Sequence, residues 1–123
     1  MTLLNAVVRE MHGALAVVRL SGEVDLSWSQ QVRAAILESL QQHTSVGVEL
    51  SAVTYIDSSG IAALVEGFQT ARGTSRQFSL IAASQPVMAV LQLARLDRVF
   101  PLVETLDAAV RAAAAPSGVE VGG

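Results

Sequence analysis

Two helical stripes set among short apolar runs leave this chain few folds to choose from. Trp28, Val32, Ile36 and Leu40 recur every four residues with Gln30, Gln31, Arg33, Glu38 and Gln41 between them. That spacing predicts an amphipathic helix over 27–42. Ile61, Leu64, Val65 and Phe68 stand at i, i+3, i+4 and i+7 and predict a second helix, ended by Gly73-Thr74-Ser75. Val7 to Glu10, Ala14 to Leu20, Val46 to Leu50 and Phe78 to Ala82 read as strands, with Val53 to Ile56 a further brief extended piece. Met11-His12-Gly13 makes a hairpin turn in which Gly13 supplies a positive φ and His12 is exposed.

The later segments continue the alternation. Ser84 can cap a third helix, Pro86 suits its first turn, and Val87, Val90, Leu91 and Ala94 form its inner face. Val99 to Val103 is a last short strand, and Thr105 starts a helix running to about Ala114, with Asp107 near the positive end of its dipole. The order β β α β (β) α β α β α implies an α/β domain: a central mixed sheet of four to five strands with about four helices packed against it. Residues 1–115 form that domain, and 116–123, without period, read as a disordered tail.

Composition removes several chemistries. Cysteine is absent, which excludes disulfides, thiolate metal sites and cysteine nucleophiles. Lysine is absent too, all eight cations being arginine, so neither a Schiff base nor a phosphate-gripping P-loop lysine is available. A net charge of −3, thinly spread, offers no basic footprint for nucleic acid. No charged and apolar leader opens the chain, and the uncharged stretch Gln77 to Ala94 breaks at Pro86, so neither a signal peptide nor membrane insertion is expected. An apolar fraction of 51% is enough for a core.

One constellation carries functional information. Asp57-Ser58-Ser59-Gly60 lies between a strand and a helix, where Asp and Ser serve as N-caps by accepting bonds from free backbone donors. Asp25-Leu26-Ser27, before the first helix, admits the same structural explanation. On the helix after Ser58, the small residues Gly60, Ala63 and Gly67 share one side. They either admit the backbone of a partner or pack beneath a neighbouring helix.

The whole frame decides more than either half. Gly22-Glu23-Val24-Asp25, a helix, Val48-Glu49-Leu50-Ser51, then Tyr55-Ile56-Asp57-Ser58-Ser59-Gly60-Ile61 resembles the STAS family, within it the bacterial anti-sigma-factor antagonists. Leu93 to Phe100 is similar to the family's closing helix and strand, and the resemblance spans about residues 4–114. It implies a cytoplasmic, non-enzymatic binding module with no cofactor and no metal. In it Ser58 would be phosphorylated by an anti-sigma kinase, a histidine-kinase-like ATPase that also restrains a sigma factor. A phosphatase would reset the switch. Asp25, Asp57, Ser58, Ser59, Gly60, Ala63 and Gly67 would form the partner-binding surface. The same resemblance admits a second role, as an accessory subunit against the ATPase of a lipid transporter.

An enzyme would need a nucleophile with a base in reach. His12 and His43 fall at a turn and a helix end, away from Ser58, and Asp25 with Asp57 would be a thin metal site.

Overall fold

Alternation along the second strand sets the layering: Ala16, Val18 and Leu20 point into one apolar cluster, Leu15 and Val17 into another. A strand buried on both faces needs helices on both faces. A computed structural model of the chain, which describes residues 5–115, supplies them. Its elements are β1 (Ala6–His12), β2 (Leu15–Val24), α1 (Leu26–Gln42), β3 (Ser45–Ile56), α2 (Ser58–Gly73), β4 (Gln77–Ile81), α3 (Gln85–Leu93), β5 (Leu102–Val103) and α4 (Leu106–Ala114).

The five strands lie in sequence order, β1 antiparallel to β2 and the rest parallel. Right-handed crossovers between neighbouring parallel strands put their helices on one face. Accordingly Val32 and Ile36 of α1, Leu64 of α2, and Val87 and Leu91 of α3 share the larger cluster with Val48, Leu50 and Leu80. Helix α4 covers the opposite face, where Ala109 meets Leu15, Val17 and Ile81.

Several expectations need correction. Val46–Leu50 and Val53–Ile56 are one twelve-residue strand, because β3 runs beside β2 throughout and absorbs two register shifts there. β1 extends to His12, so the hairpin turn is Gly13-Ala14, with Gly13 at φ +61°. His12 is half-buried, its Nε2 2.8 Å from Glu10 Oε1. Ser84 occupies the α3 N-cap position without a capping bond, since its hydroxyl donates instead to the Val53 carbonyl at 2.6 Å. Ala94 ends α3 exposed, and Arg95 turns the chain at φ +61°. Phe100 then plugs the core from a turn rather than a strand, packing edge-on to Phe68. The expected tail, 116–123, lies outside the described residues.

Candidate functional site

The site follows from a strand pairing. Val24 and Ile56, near the ends of β2 and β3, are register partners, so the two helices that follow begin side by side at one end of the sheet. Asp57 is tied across this pair, its N–H donating to the Val24 carbonyl at 3.2 Å.

Asp57 is the N-cap of α2. Its Oδ1 accepts from the N–H groups of Ser59 (2.9 Å) and Gly60 (3.1 Å) and from the Ser59 hydroxyl (2.6 Å). The Ser59 hydroxyl above all, helped by the N–H groups of Gly60, Ser59 and Leu26, holds the Asp57 carboxyl below the usual carboxylate range; partial burial opposes this. Asp25 caps α1 in the same manner, through the N–H (3.0 Å) and hydroxyl (2.6 Å) of Ser27.

The two serines after Asp57 therefore differ. Ser59 is half-buried and its hydroxyl is engaged by Asp57. Ser58, the first residue of α2, is exposed and takes part in none of the cap's hydrogen bonds. The cap also consumes the Ser59 and Gly60 donors, so an anion on Ser58 would not find an empty helix N-terminus.

Gly60, Ala63 and Gly67 are buried, although Ala63 touches the floor of a surface groove between α1 and α2. A Cβ on Gly60 would stand 2.8 Å from the Val24 carbonyl oxygen and 2.7 Å from Ile56, and one on Gly67 2.6 Å from Ile36. These small residues let α2 close onto α1 and the sheet. For Gly60 and Gly67 these contacts are those of the second reading, packing beneath a neighbour.

What does face outward beside Ser58 was missed in the sequence. Leu26, the residue between Asp25 and Ser27, is 74% exposed. It lines a shallow groove of about 310 Å³ between α1 and α2, together with Gln30, Ser59 and Ala62. Arg33 and Glu66 bridge that groove with a two-pronged ion pair at 2.6 and 2.8 Å. The available signal was Leu26 itself, an apolar residue off the Trp28–Leu40 stripe.

His12 and His43 stand at the opposite end of the sheet, next to the start of β2 and of β3. Across a strand of twelve residues that is roughly 35–40 Å from Ser58. Among the described residues no group of three or more His, Cys, Asp or Glu could hold a metal, and no helix is long and apolar enough to cross a membrane. The stretch Gln77 to Ala94 is divided between β4 and α3.

An exposed serine following a capping aspartate, at the start of the helix after a parallel strand, matches the frame of one family. The family model for the "Mlab, STAS domain" matches residues 7–105. The chain belongs to the STAS domain family. A curated relative, the anti-sigma-F factor antagonist RsfB of Mycobacterium tuberculosis, is 30% identical over 100 residues, covering 80% of this chain and 81% of its own. The anti-sigma F factor antagonist of Paenibacillus polymyxa is 26% identical over 97 residues, 77% of this chain and 83% of its own. Among solved structures, an anti-sigma factor antagonist from Mycobacterium paratuberculosis superposes with a TM-score of 0.82 at 26% identity, covering 94% of this chain and all of that one.

Proposed function

We propose that this STAS domain is a cytoplasmic anti-sigma-factor antagonist that acts by partner switching. Unmodified, it binds an anti-sigma serine kinase; phosphorylation of Ser58 releases it, and a phosphatase restores it. The observation that carries this reading is the contrast between adjacent serines. Ser58 offers a kinase an exposed hydroxyl that makes no hydrogen bond among the described residues, whereas Ser59 is committed to Asp57.

The electrostatics support a switch that leaves the fold in place. A phosphoserine adds about −1.5 to −2 charges. Because Asp57 already holds the Ser59 and Gly60 donors, the phosphate would stay in water, close to the capping carboxylate. In the free protein an exposed dianion is hydrated and costs little. In a complex it would be desolvated, and like-charge juxtaposition can cost several kcal/mol, while about 1.4 kcal/mol is a tenfold change in affinity. Two to three decades of switching thus follow from roughly 3–4 kcal/mol.

Incubation with the histidine-kinase-like ATPase encoded nearest its gene, followed by mass spectrometry of wild type and Ser58→Ala, tests the proposal. Phosphate on Ser58 alone, with Ser58→Ala binding the ATPase tightly and Ser58→Asp weakly, supports it. Absence of phosphate on any serine, with stable binding to a transporter ATPase instead, replaces it by the transporter-subunit role.

A further inference from the structure

At the end of the sheet remote from Ser58 lies a cavity of about 410 Å³, within the roughly 300–1,000 Å³ of small-molecule sites. It exists because β5 is short. Leu102 and Val103 pair only with Leu80 and Ile81, so the earlier part of β4, Gln77 to Ser79, lacks a strand on that side. The walls are apolar: Phe68 and Ala71 from the last turns of α2, Phe78 from β4, and Ala109 and Ala112 from α4.

Its charge is one-sided. Among the described residues Arg72 and Arg76 line the cavity and no acidic residue does. Neither arginine joins an ion pair among the described residues. The Arg72 guanidinium lies 5.7 Å from the centre of the Phe68 ring. Arg76 donates one N–H to the His43 carbonyl at 3.0 Å, and a guanidinium has five donors, so most remain for another acceptor. Arg72 also offsets the negative end of the α2 dipole. That end amounts to about half a charge, so two guanidiniums still leave the mouth positive.

We propose that this cavity binds a small anionic amphiphile, an alkyl carboxylate of medium length. The hydrocarbon would lie against Phe68, Phe78 and Ala109, and the carboxylate would meet Arg72 and Arg76. Ser58 sits at the other end of the same helix, α2, about 24 Å away along sixteen residues. The site is therefore separate from the phosphorylation surface and does not depend on that reading.

The test is a titration of the isotope-labelled full chain with decanoate, kept below micelle-forming concentration, and in parallel with decanol, followed by amide resonances. The expected result is saturable shifts at Ala71, Phe78, Ser79 and Ala109, with decanoate binding at least about tenfold more tightly than decanol. The double variant Arg72→Ala/Arg76→Ala should lose that preference while still binding decanol. Ala112→Phe, on an exposed helical position, should weaken both ligands. Absence of saturable shifts, equal affinity of the wild type for decanoate and decanol, or shifts confined to other regions would overturn the proposal.

Discussion

Asp25 and Asp57 are structural duplicates: each caps a helix with one carboxylate oxygen that accepts both the N–H and the hydroxyl of the serine two residues on. Their backbones agree as well, at φ −117°, ψ −172° and φ −108°, ψ −172°. The residue held outward between aspartate and serine is Leu26 in one case and Ser58 in the other, an exposed apolar side chain and an exposed hydroxyl.

Removing the caps should separate the two copies. An N-cap Asp→Ala change costs about 0.5–2 kcal/mol. Asp57 holds two backbone donors and Asp25 one, so Asp57→Ala should fall at the upper end of that range and Asp25→Ala near its lower end. Urea midpoints of the two variants at neutral pH check the order.

The pH dependence of stability follows from the Asp57 shift. Its folded-state carboxyl is depressed, so the associated stability is fully present above the unfolded value of about 3.9 and is lost as pH falls through the folded one. Glu10, held down first by its bond from Arg19, and Glu66, held down by its bond from Arg33, act in the same acid window. Asp57→Asn keeps a good cap but cannot ionise. It should match the wild type near neutral pH and lose less stability on acidification below about pH 4. Unfolding free energies measured across that range would show parallel curves if the assignment were wrong.

Glycine-to-alanine changes in α2 should split by sign. In a helix interior the exchange ordinarily stabilises by about 0.5–1 kcal/mol. At Gly60 the new Cβ would meet the Val24 carbonyl oxygen at 2.8 Å, backbone that cannot give way, and a loss of about 1–3 kcal/mol is expected. At Gly73 nothing lies within 4 Å, so Gly73→Ala should be neutral or stabilising. Thermal unfolding of both variants gives the comparison.

Leu26→Ala should distinguish binding from folding. At 74% exposure the side chain contributes little to the core, so stability should change by less than about 0.5 kcal/mol. Leu26 shares its groove with Ser59 and Ala63 of the proposed partner-binding residues, so its loss as an apolar anchor should weaken capture of the anti-sigma kinase by about tenfold or more. Calorimetric titration of the kinase, beside a urea melt, reads both quantities.

Breaking the Arg33–Glu66 bridge should matter little to stability. Both side chains are a little under half exposed, and surface pairs of this kind are worth about 0.2–1 kcal/mol. A double-mutant cycle in low and high salt should give a coupling in that range that shrinks as salt rises.

The sequence by itself determined the succession of strands and helices, apart from the unity of β3, and the caps Asp25, Asp57 and Thr105. Both are local: the Trp28–Leu40 stripe needs only helical periodicity, and Asp57 needs only Ser59 and Gly60 within three residues to satisfy the first turn. Tertiary structure decided the rest. The continuity of β3 came from its pairing with β2, which no local pattern around Ser51-Ala52 announces. The inward placement of Gly60 and Gly67 came from the approach of Val24, Ile36 and Phe78, residues distant in the chain. The engagement of Ser84 by the Val53 carbonyl, in place of a cap, likewise depends on a neighbour thirty-one positions away. Spacing along a chain reports what a residue can do for its own turn; which face it shows to water is fixed only when other segments arrive and cover it.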